Sequence, residues 1–105
     1  MTLVLDEKNF QSEVMESSVP VLVDFWAPWC GPCLTMIPVM DELAKELKDR
    51  FKIGKINVDE NPELASRYAI MSIPAFKIFK GGKIIKSISG IQAKETLKSE
   101  LEKCL

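Results

Sequence analysis

Val21-Leu22-Val23-Asp24-Phe25-Trp26-Ala27-Pro28-Trp29-Cys30-Gly31-Pro32-Cys33 is the stretch on which the fold turns. Its opening, Val21 to Phe25, is a short β-branched apolar run without alternation, which suits a strand buried on both faces in the middle of a parallel sheet. Its close sets two thiols three positions apart where that strand gives way to a helix. One thiol then sits at the helix N-terminus and the other a turn behind it, a layout for exchanging disulfides. Asp24 is the anomaly in the strand.

Downstream, apolar positions recur at Ile37, Met40, Leu43, Ala44 and Leu47, while Asp41, Glu42, Lys45, Glu46 and Lys48 take the other side, so the spacing predicts an amphipathic helix. Pro38 falls inside it and predicts a kink near its first turns. Ile53 to Val58 has strand composition, and Asn61-Pro62-Glu63 offers a cap, a proline at the first helical position and an acid in the first turn of a short helix carrying Leu64, Ala65 and Tyr68. Ala75 to Lys80 and Lys83 to Ser89 read as two antiparallel strands joined across Gly81-Gly82, where missing Cβ atoms permit positive φ.

Leu97, Leu101 and Cys104 mark a closing helix whose start, at Gln92-Ala93, lacks a strong cap. Upstream, Leu3-Val4-Leu5 reads as a short strand, and either Asp6 or Asn9 caps a helix carrying Phe10 and Val14. The order strand, helix, strand, helix, strand, helix, strand, strand, helix builds crossovers and then a hairpin. It predicts an α/β fold, a central mixed sheet with helices on both faces.

Composition narrows the chemistry. With 105 residues, 47% of them hydrophobic, the chain has the apolar surface for one core, and the expectation is a single domain over residues 1–105. Fourteen Lys and Arg against 15 Asp and Glu are spread without a basic block, so no nucleic-acid partner is expected. Met1-Thr2-Leu3-Val4-Leu5-Asp6 lacks the lead of a secretion signal and no segment is apolar enough for a membrane span, from which a cytoplasmic location is expected. The chain has no histidine, which excludes a Cys-His nucleophilic site and imidazole metal sites. A zinc reading of Cys30 and Cys33 wants four ligands where Cys104 is the one remaining thiol, so it needs a second chain.

A thiolate attacks a disulfide, so the working cysteine needs a neighbour that stabilises negative charge, and the helix N-terminus supplies one. Cys30, nearer that end, is the better nucleophile and Cys33 the better resolving thiol; Pro32 suits the first turn. A buried Asp24 is costly to desolvate, which raises its pKa toward neutrality and fits it for proton exchange; partial burial or a structural lysine partner also fits the residue. Trp26 is expected to pack inside and Trp29 to be partly exposed as a grip for partners, and Cys104 to be a small core or rim residue.

These features resemble the thioredoxin family. Val23 to Cys33 is similar to that family's active-site segment, and Asn57-Val58-Asp59-Glu60-Asn61-Pro62, Ser72-Ile73-Pro74, Phe79-Lys80-Gly81-Gly82 and Ser89-Gly90 resemble its remaining landmarks in order and spacing. The resemblance covers essentially the whole chain. It implies the thioredoxin fold, with a central five-stranded mixed sheet flanked by four helices, and a general protein disulfide reductant cycling between a Cys30-Cys33 dithiol and disulfide. Carried over residue by residue, it makes Cys30 the nucleophile, Cys33 the resolving thiol, Asp24 the proton-transfer group and Lys55 the residue that tunes Asp24. Pro74 takes a cis peptide bond, and Trp29, Gly31, Pro32, Val58, Ile73, Pro74, Gly90 and Ile91 receive an extended substrate segment.

No cofactor or metal is implied in the domain itself. Electrons return from a thioredoxin reductase, an NADPH-dependent flavoprotein, to a monomer that acts on disulfide-containing proteins. Leu34, Met71-Ser72 and Ala75 depart from the family's common residues and bear on partner choice. The rival readings are a non-catalytic binding subunit using the apolar surface around Trp29 and Pro74, and a metal-bridged dimer through two dithiols.

Overall fold

The structure, a computed structural model, describes residues 2–105. Strand β1 (Leu3–Leu5) leads to a π-helical turn (Gln11–Met15), then β2 (Val21–Trp26), α1 (Gly31–Leu47), β3 (Lys52–Asn57), α2 (Pro62–Arg67), β4 (Ala75–Lys80), β5 (Lys83–Ser89) and α3 (Lys94–Glu102). The five strands form one sheet in the order β1-β3-β2-β4-β5. β3 runs parallel to both β1 and β2, while β4 is antiparallel to β2 and β5. This is the mixed five-stranded sheet that the sequence predicts.

β2 lies at the centre, and its residues from Val21 to Phe25 are all buried. Alternation along it sends Leu22 to one face and Val21, Val23 and Phe25 to the other. On the first face Leu22, Ile53, Phe76 and Ile78 meet Met36, Met40, Leu43 and Leu47 of α1 and Leu97 and Leu101 of α3. Each such burial contributes roughly 1.5–3 kcal/mol. On the second face Val21, Val23, Phe25 and Ile56 meet Phe10 and Val14 of the π-helical turn and Leu64 of α2. Asp24 shares the Leu22 face, so α1 covers a carboxylate.

Several local readings need correction. The first helical element is π rather than α, and Asp6 and Asn9 do not compete to cap it. Asp6 Oδ1 accepts the Asn9 N–H at 2.9 Å and Asn9 Oδ1 accepts the Asp6 N–H at 2.8 Å, a reciprocal bracket one turn ahead of the π segment. Asn61 precedes α2, but its side chain accepts the Glu7 N–H and donates to the Asn57 carbonyl instead of capping the helix. The buried stripe of α1 runs through Cys33 and Met36, with Ile37 half-buried at its margin. α1 continues through Pro38, which has no N–H for the Leu34 carbonyl one turn back.

Gly81 and Gly82, with φ +60° and +79°, turn the β4-β5 hairpin as expected. α3 starts at Ala93 without a side-chain cap.

Candidate active site

β2 and α1 bring the site together. β2 ends at Trp26, and Ala27 to Cys30 turn the chain through a hydrogen bond from the Cys30 N–H to the Ala27 carbonyl at 3.1 Å. Cys30 is the N-cap residue of α1, in extended conformation, and its Sγ accepts the Cys33 N–H at 3.2 Å. Cys30 and Cys33 form a disulfide with their Cα atoms 5.2 Å apart. The first turn of α1 holds no acid, so the unpaired N–H groups and positive dipole end there favour negative charge on Cys30 Sγ once the bond is reduced. Cys30 is 6% exposed and Cys33 fully buried.

The loop before β4 closes over the disulfide. The Ile73-Pro74 peptide bond is cis, and the Ile73 carbonyl oxygen lies 3.9 Å from Cys30 Sγ. The Pro74 carbonyl accepts the Gly90 N–H at 2.8 Å, which ties the end of β5 to the same place. Ala27, Cys30 and Cys33 form a small apolar cluster with Trp26, Val58 and Ile73 packed on it.

Asp24 is buried beneath α1, and its Oδ1 has no hydrogen-bond partner among the described residues. Burial pushes its pKa from 3.8 up to about 7, against a smaller lowering by the Lys55 charge. Lys55 faces Asp24 in the β2-β3 register, and its ammonium lies over the Trp26 ring, 5.4 Å from the centroid. Trp26 is therefore half-buried under a cation, and not sealed inside as its composition alone suggests.

The expected substrate surface is distributed unevenly. Trp29 is 70% exposed, with its Nε1 donating to Asp59 Oδ2 at 2.8 Å. Trp29, Val58 and Ile73 line a groove of about 310 Å³ that Pro62, Ala65, Ile70, Met71 and Ser72 complete. Sequence reasoning does not place Pro62, Ala65 and Ile70 at this groove, whereas it names Met71 and Ser72 as bearing on partner choice. Gly31 and Pro32, between the two cysteines, are exposed, as is Ile91, while Gly90 is half-buried and Pro74 is buried.

Cys104 packs in the α1-α3 core, away from the Cys30-Cys33 cluster, and among the described residues no group of three or more His, Cys, Asp or Glu could hold a metal ion.

A family model described as Thioredoxin matches residues 1–103. The chain belongs to the thioredoxin family. It is 52% identical over 99 residues to Thioredoxin 1 of Nostoc sp., covering 94% of this chain and 92% of that protein. It is 49% identical over 100 residues to a thioredoxin of Alicyclobacillus acidocaldarius, covering 95% and 94%. It is also 52% identical over 101 residues to a chloroplastic M-type thioredoxin of Chlamydomonas reinhardtii, covering 96% of this chain and 72% of that protein.

With its Cys30-Cys33 disulfide, this thioredoxin-family chain is a thiol-disulfide oxidoreductase, a protein-disulfide reductase recycled by a thioredoxin reductase. The binding-subunit reading is not favoured. Among the described residues no helix is long and apolar enough to cross a membrane.

Proposed function

We propose that Cys30 is the attacking thiol, Cys33 the resolving thiol and Asp24 the group that takes the Cys33 proton. The observation that carries this is the asymmetry of the two sulfurs: Cys30 caps α1 and is the more accessible, while Cys33 is fully buried one turn in. Cys30 thiolate attacks one sulfur of a substrate disulfide, forming a mixed disulfide and releasing the other substrate sulfur as a thiolate. The Cys33 proton passes to Asp24, a carboxylate whose pKa of about 7 suits exchange near neutrality. The Cys33 thiolate then attacks Cys30 Sγ, the mixed disulfide breaks, and the substrate leaves reduced by two electrons with Cys30-Cys33 oxidised.

Lys55 tunes Asp24 by its charge. Two electrons return through the reductase, which in this reading is an NADPH-dependent flavoprotein. Residues 1–105 act as one domain, since the sheet uses strands from both ends of the chain, and in this reading the domain works as a monomer. A cytoplasmic setting agrees with a dithiol that must be kept reduced to work.

The test is mixed-disulfide trapping. Cys33→Ser should retain substrate proteins covalently on Cys30, and Cys30→Ser should retain none. Trapping through Cys33 in the Cys30→Ser variant, with none in Cys33→Ser, would reverse the two roles.

A further inference from the structure

Lys55 has two places to put its ammonium. Alternation along β2 sends Asp24 and Trp26 to the same face, and the parallel register sets Lys55 opposite Asp24 and diagonal to Trp26. The carboxyl is the stronger lure for a cation, and its Oδ1 is an acceptor without a partner among the described residues. The ammonium nevertheless lies over the Trp26 ring, 5.4 Å from the centroid. Closing on the buried Asp24 would strip water from two charges at once. Lys55 and Trp26 are only half-buried, so the ring face holds the cation where it keeps part of its hydration. The ring is itself held, because Trp26 packs on the cluster of Ala27, Cys30 and Cys33 and its carbonyl accepts the Val58 N–H at 2.9 Å. No second charge competes on that face: β4 sets Phe76 opposite Asp24, the buried residues of α3 are Leu97 and Leu101, and in the buried stripe of α1 Cys33 alone can titrate, once reduced.

We propose that Trp26 is a positioning residue for disulfide exchange: its ring captures the Lys55 ammonium and keeps it off the Asp24 carboxyl, which stays an open acceptor for the Cys33 proton. Lys55 then acts on Asp24 at a distance only. A contact pair would occupy the carboxylate oxygens and stabilise the charged form, leaving a weaker base at the moment Cys33 must lose its proton. The inference rests on Asp24 being the group that takes that proton.

The experiment follows the Asp24 carboxyl by carbon-13 NMR in the full chain, in the parent, Trp26→Leu, Lys55→Met and the two changes combined. Trp26→Leu should lower the Asp24 pKa by about one pH unit or more, because Lys55 is released to close on it. In the Lys55→Met background the same substitution should move it by less than about 0.4 pH unit. Trp26→Phe keeps an aromatic face and should fall between the parent and Trp26→Leu. In the reduced protein the pH midpoint of mixed-disulfide resolution should move down with the pKa. One reading needs no substitution: ring currents should carry the Lys55 ε-protons of the parent upfield of those of the other lysines. No fall in Trp26→Leu, a fall of equal size with and without Lys55, or Lys55 ε-protons at the ordinary lysine position overturns the proposal and leaves disulfide exchange standing. A fall that needs Lys55 while resolution stays put overturns the proton reading of Asp24, and Trp26's part in the reaction with it.

Discussion

Asp24 stands directly opposite Lys55 in the parallel β2-β3 register, yet the lysine ammonium is held over the Trp26 ring and Asp24 Oδ1 is left without a hydrogen-bond partner among the described residues. Paired residues of parallel strands share a face, so both charges lie on the side that α1 covers. Lys55 therefore acts on Asp24 through its field, without a desolvated contact pair. Desolvation wins over that field, which is why the carboxyl titrates near 7.

The first consequence is a stability that falls as pH rises. Between the unfolded value near 3.8 and the folded value near 7 the native carboxyl keeps a proton that the unfolded chain releases. That costs about 4 kcal/mol by pH 8 and almost nothing at pH 4. Asp24→Ala removes the cost and leaves a small cavity in exchange. Its guanidinium midpoint should exceed that of the parent at pH 8, and the gap should close toward pH 4. Coincident midpoints at pH 8 would contradict a buried charge at Asp24.

Lys55→Met removes the one charge that lowers the Asp24 pKa, so the carboxyl should titrate above 7. Carbon-13 NMR of the Asp24 carboxyl reads this directly. If Asp24 takes the Cys33 proton as its carboxylate, the pH midpoint of mixed-disulfide resolution should move up with it. A titration that stays put or moves down would show that Lys55 does not act on Asp24.

What could be read from the residues follows from how local each feature is. The β2 run, the Gly81-Gly82 turn and the α1 stripe are legible because period and φ preference act over a few residues. The helix-start position of Cys30 and the burial of Asp24 are legible because a thiol pair at a strand end and an acid in an apolar strand each stand out from their segment. The π turn was not, because apolar spacing at Phe10 and Val14 does not distinguish the two helix types. Asn61 went to Glu7 and Asn57, partners one of which is 54 residues away. Periodicity alone does not choose between Met36 and Ile37, because both are apolar and which of the two faces the sheet depends on the helix phase set by its start at Gly31. Ala65 and Ile70 share a groove with Trp29 and Ile73 through tertiary packing that local sequence does not encode.

Gly54 offers a test of the β1-β3 contact. A Cβ there would lie 2.5 Å from Leu5 Cδ1 and 2.9 Å from Leu5 Cγ, and Leu5 is itself buried in the core below β1. With little room to swing away, Leu5 must push on its neighbours. Gly54→Ala should therefore destabilise the protein by about 1–3 kcal/mol, read from denaturant midpoints. Gly54→Ala with Leu5→Ala should recover part of the loss relative to Leu5→Ala alone, a non-additivity expected of residues in contact. Strict additivity would place the cost elsewhere than in the Leu5 contact.

The two kinds of cysteine should separate under alkylation. Cys104 is buried at the end of α3, its thiol donates to the Glu100 carbonyl at 3.2 Å, and burial raises its pKa despite a smaller lowering by Lys80. Each of these disfavours the thiolate that iodoacetamide attacks. Cys30 faces the opposite circumstances at the N-terminus of α1, where the Cys33 N–H and the helix dipole favour charge on its sulfur. In the fully reduced protein at pH 7, peptide mass spectrometry should find Cys30 carboxamidomethylated first and Cys104 at least about tenfold more slowly. The difference should vanish in denaturant, because it belongs to the fold. Comparable native rates would mean that the end of α3 opens often enough to expose Cys104.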